Sequence, residues 1–322
     1  MTMFWKAALT GLAIVTAVPA QAGTLKLAHS TWVGYGPFYI ARDKGFFKEE
    51  GVDVELSIME DTPIKMGAFM AGQLDMVAST ADEFPIYLKD GKSVRYVLAV
   101  DNSKGGDGVV ALKEINSVAD LKGKKVAFEE GSVSQFFFNA VLKEAGLTQA
   151  DVEVVNMTAT DAGTAFAAKN VDAAVTWEPA LSQGANSAHG KLLVSSADKP
   201  GLITDVVAIS AETAANKSDD VKAFVRGWYK ALDFLAKNPD EGYAIMAKGV
   251  GGWLEKPENF KATVTGIEYL DKAKNEAFFG TKEAPVQIYK TLGFALDIWK
   301  GFGRIQVEVK PEDVIDHGFI GG

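Results

Sequence analysis

Hydrophobic positions along this chain switch between a period of two and a helical period, and the switches fall repeatedly on short polar turns. Leu25–Ala28 reads as an apolar strand, His29–Gly36 as a polar, glycine-rich turn, Pro37–Lys44 as a helix and Val52–Leu56 as a second strand. Pro37 suits a first helical position, where its missing N–H costs nothing, and Gly34 and Gly36 let the backbone turn ahead of it. The same order recurs three times: Met76–Ser79 runs into the turn Ser79–Pro85, a strand ending at Phe128 runs into Glu129–Phe136, and Ala173–Thr176 runs into Trp177–Leu181. Strand ends of this kind point free backbone N–H groups and turn side chains at one spot, a frequent ligand site in open α/β sheets.

A second repeat links these units. Thr62–Ala71 reads as a helix with Thr62 as N-cap, followed by Gly72-Gln-Leu-Asp75 and a buried strand; Ala162–Val175 repeats the arrangement with Asp172 in the place of Asp75. Two copies of one supersecondary unit predict two similar lobes. Asp101–Gly108 is a glycine-rich crossing between them, and Ile203–Ile209, with Asp205 near its start, is the strand that returns to the first lobe. From Glu212 the spacing is helical, with helices near Ser218–Asn238, Asp240–Lys248, Pro257–Leu270 and Ala284–Trp299, read as cladding on the first lobe. The tail Lys310–Gly322 is expected to be ordered, because Val314, Ile315, Phe319 and Ile320 are costly to leave in water.

Composition sharpens this picture in three ways. At 322 residues the chain is long enough for two domains, and its charged fraction of 23% is ordinary for a globular protein. Residues 1–22 read as a secretory leader, with Lys6 in a basic region, an apolar run Ala7–Val18 too short to span a bilayer, and Ala20-Gln21-Ala22 before a mature start at Gly23. With no cysteine there is no lipidation site, disulfide or thiolate ligand, so the expectation is an untethered periplasmic protein. A net charge of −9 repels phosphate backbones and argues against nucleic acid as partner.

Chemistry-bearing residues concentrate in the turns. Ser30, Trp32 and Tyr35 lie in the first, Thr80 and Asp82 in the second, Glu129, Ser132 and Ser134 in the third, and Trp177 and Glu178 in the fourth, with Asp205 on the returning strand. Trp32 and Trp177, at matching places in the two lobes, suit the role of aromatic walls, for which apolar and cationic groups have affinity. The carboxylates of these turns have no arginine among them, which favours a small solute with an amine or other cationic group, zwitterions included. His29, His189 and His317 are scattered and no catalytic or metal-binding motif occurs, so neither catalysis, a metal nor a cofactor is expected.

Trp32-Val-Gly-Tyr35 ahead of Pro37, the Lys44-Gly45-Phe46-Phe47 corner leading to Gly51-Val52, Asp120–Lys125, Glu130–Ser134 and Trp177-Glu-Pro179 together resemble substrate-binding proteins of the nitrate, sulfonate and taurine type, the extracytoplasmic receptors of ABC importers. The resemblance covers nearly the whole mature chain. It implies a type II periplasmic binding protein fold: two α/β lobes, residues 23–104 with 205–322 and an inserted 105–204, a ligand cleft between them and helical C-terminal cladding. It further implies a monomeric receptor that closes on solute and docks on a membrane permease. Two alternatives share the fold. One is a pyrimidine-precursor synthase of thiamine biosynthesis, which carries a cysteine-rich signature that this chain lacks; the other is a receptor that presents ligand to a sensor kinase.

Overall fold

A computed structural model describes the chain except residues 1–22, 92, 282, 283 and 285, so the leader and the Pro285 helix start lie outside the described residues. The chain opens with β1 (Gly23–His29), β2 (Val52–Ile58), β3 (Met76–Thr80) and β4 (Val94–Ser103). It then crosses to a second sheet formed by β5 (Asp107–Leu112), β6 (Lys125–Phe128), β7 (Glu153–Asn156), β8 (Ala173–Trp177) and β9 (Gly190–Ser195). It returns through β10 (Thr204–Ser210) and adds β11 (Ile267–Tyr269) at the edge of the first sheet. The strand orders are β11-β4-β10-β3-β1-β2 and β7-β6-β8-β5-β9. In each, a parallel trio is extended by antiparallel strands: β1 pairs with β2 and β3, and β6 with β7 and β8.

The two Asp-turns show how sequence dictates the parallel trios. Asp75 bonds Lys26 at the foot of β1 twice, its carboxylate accepting the Lys26 N–H at 2.9 Å and its own N–H reaching the Lys26 carbonyl at 3.0 Å. Asp172 does the same to Lys125 at the foot of β6, both at 2.9 Å. Each carboxylate caps an otherwise unpaired strand donor, which is the physical content of the repeated motif. The left-handed residue needed ahead of it is Gly72 (φ 73°) in the first copy but Lys169 (φ 60°) in the second.

The two crossings are tied together. Ser196, just after β9, receives the Gly105 N–H and shares its hydroxyl with that of Ser103, both at 2.7 Å. The two backbone segments that connect the sheets are thus fastened side by side at one point.

Three elements differ from the sequence reading. The helix at Thr62–Met70 is capped by Asp61, whose carboxylate accepts the Ile64 N–H at 2.8 Å; Thr62 is its first residue. Glu83–Leu88 forms only a short 3-10 turn, Phe84–Ile86. The region expected as one helix, Pro257–Leu270, breaks after Thr263 and becomes β11, because β4 offers it an open edge. The helical cladding packs on β1 and the Gly36–Asp43 helix, with Trp228 against Phe38 (ring centroids 4.9 Å apart). It also reaches the other sheet: Trp299 of the Gln287–Gly301 helix stacks near Phe136 (6.0 Å) on the Val133–Glu144 helix. The tail is ordered, with Val314, Ile315, Phe319 and Ile320 all buried. Among the described residues no helix is long and apolar enough to cross a membrane.

Candidate functional site

The turns meet in a small cavity of about 30 Å³ between the two sheets, lined from the first by Ser30, Trp32, Tyr35, Lys65, Ser79, Thr80, Glu83 and Asp205, and from the second by Asp107, Val133 and Trp177. Six of the residues singled out from sequence are therefore together: Ser30, Trp32, Tyr35, Thr80, Trp177 and Asp205.

The first turn is built to hold Trp32 still. Its indole N–H donates to Asp101 Oδ2 at 3.1 Å. A Cβ on Gly34 would lie 1.8 Å from the same oxygen, so only glycine lets that carboxylate approach. Tyr35 donates its hydroxyl to Asp205 on β10. His29 is not a contact: its ring lies fully buried between the Ser30 carbonyl (2.8 Å) and the Tyr39 hydroxyl (3.1 Å), and burial drops its pKa to about 4, leaving it neutral.

The second turn uses the other carboxylate of its pair. Asp82 is buried but is not among the lining residues, and its backbone carbonyl accepts the Trp299 indole N–H at 2.8 Å, while Glu83 lines the cavity and accepts the Ser79 hydroxyl. Only one of these adjacent side chains lines the cavity, and the buried Phe84 and Trp299 fix which.

In the third and fourth turns most of the predicted contacts are structural. Ser132 caps the Val133–Glu144 helix, accepting the Ser134 N–H at 3.1 Å, and Ser134 is buried in that helix away from the cavity lining. Glu129 accepts the Thr62 N–H at 2.8 Å. Glu178 is consumed by Ser182, taking its N–H at 3.2 Å and its hydroxyl at 2.6 Å, so it braces the turn. Trp177 does reach the cavity, and its indole N–H donates across to the Thr31 carbonyl of the first lobe at 2.9 Å. Together with Thr31, Glu60, Gln183 and Trp253 it also borders a larger space of about 430 Å³.

Sequence reasoning missed Lys65, Ser79, Glu83, Asp107 and Val133 as lining residues. The signal for Lys65 was present: Thr62, Lys65, Met66 and Phe69 form the buried stripe of their helix, and a lysine on an apolar stripe needs a partner. It finds Ser30 Oγ at 2.8 Å. Asp107 and Val133 come from chain crossings and a helix start, positions that only the fold brings in.

Electrostatically the cavity is short of positive charge. Burial, reinforced by neighbouring carboxylates, raises Asp205 to about 8 and Asp107 to about 7, and raises Asp101 well above the usual range. Glu83 is raised by burial, and Lys65, Ser79 and the Val133 N–H pull it back down. Asp107 Oδ2 and Thr80 Oγ1 are buried with no hydrogen-bond donor or acceptor of the protein on them. Among the described residues no three or more His, Asp or Glu side chains are placed to share a metal ion. What this site can do chemically is hold a small group carrying N–H donors and positive charge between two indoles.

Four hydrogen bonds join the two sheets' elements around it: Trp177 to Thr31, Val133 to Glu83 (2.7 Å), Thr62 to Glu129, and Tyr87 to the Gly131 carbonyl (2.7 Å).

Comparison with known proteins agrees with this architecture. A Brucella abortus (strain 2308) protein described as a binding protein is 29% identical over 315 residues, 95% of this chain and 92% of the relative. The taurine-binding periplasmic protein of Escherichia coli K12 is 26% identical over 267 residues, 80% of this chain and 78% of its own length. Among solved structures, the alkanesulfonate-binding protein SsuA of Xanthomonas axonopodis pv. citri, bound to MOPS, superposes with a TM-score of 0.74 at 17% identity, covering 92% of this chain and 99% of that one. These relatives are binding proteins, and the two-sheet architecture is the periplasmic binding protein fold. With residues 32–242 matching the family described as NMT1/THI5 like, the chain belongs to that family of binding proteins.

Proposed function

We propose that this protein is the extracytoplasmic receptor of an ABC importer, capturing a small polar solute that carries an amine and delivering it to a membrane permease. The observation that carries the solute class is the cavity lining: Glu83, Asp107 and Asp205 against a single cation, Lys65, between Trp32 and Trp177. A desolvated ammonium gains charge-assisted hydrogen bonds from such carboxylates and a favourable face from each indole. An isolated anion gains nothing from ionising Asp107 and Asp205, whose raised pKa values near 7 and 8 it would push higher, whereas an ammonium favours their charged form.

The same reading assigns residues 23–104 with 205–322 and 105–204 to two lobes that turn about the Ser103–Ser196 tie. Because Trp32, Tyr35 and Asp205 come from one side and Asp107 and Trp177 from the other, solute contacts both lobes only when they are together. Binding energy then shifts the population toward the closed form, the form a permease can distinguish. Export through the leader, a free monomeric state in the periplasm and the absence of a cofactor complete the proposal.

The test is a thermal-shift and calorimetric screen of the chain from Gly23, using taurine, alkanesulfonates, nitrate, primary amines, guanidines and pyrimidines. Amine-bearing compounds are expected to raise the melting temperature. Stabilisation by nitrate or simple sulfonates alone refutes the solute class. Turnover of any bound compound refutes the receptor reading.

A further inference from the structure

Glu83 lines this cavity and holds two of its hydrogen-bond donors. Its Oε1 accepts the Val133 N–H at 2.7 Å, at the first residue of the Val133–Glu144 helix. Its Oε2 accepts the Ser79 hydroxyl, and the Lys65 ammonium acts on it electrostatically. A helix N-terminus, a hydroxyl and an ammonium are the kinds of donor with which proteins hold oxyanions; here all three line one cavity, and the first two are bonded to a carboxylate of the chain itself while the ammonium bonds Ser30 Oγ. Glu83 is 2% exposed and Lys65 1%, so neither is solvated in place of this contact. The opposite lobe repeats the device. Glu129 takes the Thr62 N–H at the start of the Thr62–Met70 helix, so that helix N-terminus is also spoken for by a protein carboxylate. The acceptor left over is of the other kind: Asp107 Oδ2, buried and without a protein donor, suits a solute N–H.

We propose that Glu83 is a specificity-determining residue, a resident anion that fills the oxyanion position of the cavity and confines the protein to solutes with a cationic or amine head and no acidic group. This rests on the amine-binding reading above and narrows it: the sulfonate of an aminosulfonate finds the Val133 N–H and the Ser79 hydroxyl already taken and a carboxylate in its place, with the Thr80 hydroxyl the one lining hydroxyl left without a protein partner among the described residues. Removing the carboxylate frees the Val133 N–H and the Ser79 hydroxyl, in the cavity that Lys65 also lines, and leaves space the size of the lost group.

The deciding experiment is calorimetry and thermal shift on the chain from Gly23 and its Glu83→Ala, Glu83→Ser and Glu83→Gln variants, with methanesulfonate, sulfate, acetate and taurine as probes. Glu83→Ala and Glu83→Ser are expected to bind anions about tenfold or more tightly than the parent, the worth of one charge-assisted contact. Taurine should gain most, since its amine still meets Asp107 and Asp205. Glu83→Gln, which keeps the volume and an acceptor for Val133, is expected to gain little. Folded Glu83→Ala and Glu83→Ser proteins that bind no probe better than the parent overturn the proposal. So does a parent protein that binds methanesulfonate as tightly as it binds any amine, a result that needs no folded variant. If the variants gain anion binding while the parent ignores every amine, the role of Glu83 stands and the amine reading falls.

Discussion

Trp32 and Trp177 hold matching positions in the two halves of this molecule, each at the end of a strand and each at the edge of the same cavity, yet they are fastened in opposite ways. Trp32 is anchored within its own half: its N–H goes to Asp101 on a strand of the same sheet, and its ring lies so close to the first crossing that a Cβ on Gly106 would meet Cη2 at 2.5 Å. Trp177 is anchored to the other half, through its bond to the Thr31 carbonyl. The first is tied within its own sheet and packed on the crossing, the second tied across the cavity. Sequence position alone made them twins; their partners make one a structural wall and the other a latch.

The largest expected effect follows from the wall. Trp32→Ala should destabilise the ligand-free protein by about 3–5 kcal/mol, the usual cost of deleting a buried indole, and urea denaturation measures it. Trp177→Ala should leave more of the ligand-free stability intact while weakening solute binding about thirtyfold or more, as loss of a central aromatic contact does. If Trp177→Ala proves the more destabilising in the absence of solute, the division between wall and latch is wrong. Gly106→Ala forces Trp32 or the crossing to shift, so a loss of about 1–3 kcal/mol is expected, with a slower closure by stopped-flow tryptophan fluorescence.

The smallest effect is the pH dependence of the acids behind these walls. Asp205 and Asp107 titrate in the folded protein near 8 and 7, above their ordinary value of 3.8, so the native state holds protons that the unfolded chain releases. The stabilisation this gives is complete below about pH 4 and is lost as pH rises toward 8. The ligand-free melting temperature should accordingly fall between pH 5 and pH 8.5. A bound ammonium favours the ionised carboxylates, so amine affinity should rise over the same interval and binding should release protons, read from calorimetry in buffers of different ionisation enthalpy. An affinity that falls with pH breaks the assignment of these carboxylates to the solute.

Much of the fold was legible because it is written in local chemistry. The four turns, the glycine-rich crossing and the twin Asp-turns each follow from residues a few positions apart: Asp75 and Asp172 cap strands whatever else the chain does. The broken Pro257–Leu270 helix was illegible for the converse reason. Ile267–Tyr269 has too few residues to show a period, and its strand exists because β4 presents an edge. The candidate site divides along the same line. Ser30, Trp32 and Tyr35 sit on one turn and were found together, whereas Lys65 and Asp107 enter from a helix face and a crossing. Glu178, attractive beside Trp177, is taken up by Ser182 three positions past the intervening proline.

The amino-acid order by itself determined that there are two α/β units, that their loop tips carry tryptophans, hydroxyls and acids, and that arginine is missing from those tips. It could do so because periodicity, capping and turn formation act over a few residues. Only the folded arrangement decided between Asp82 and Glu83, brought Lys65 and the Val133 N–H to the latter, and made Trp177 a bond across the cleft. Those outcomes depend on which surfaces meet when the two sheets pack, and contacts between residues fifty or a hundred and forty positions apart leave no mark on local pattern.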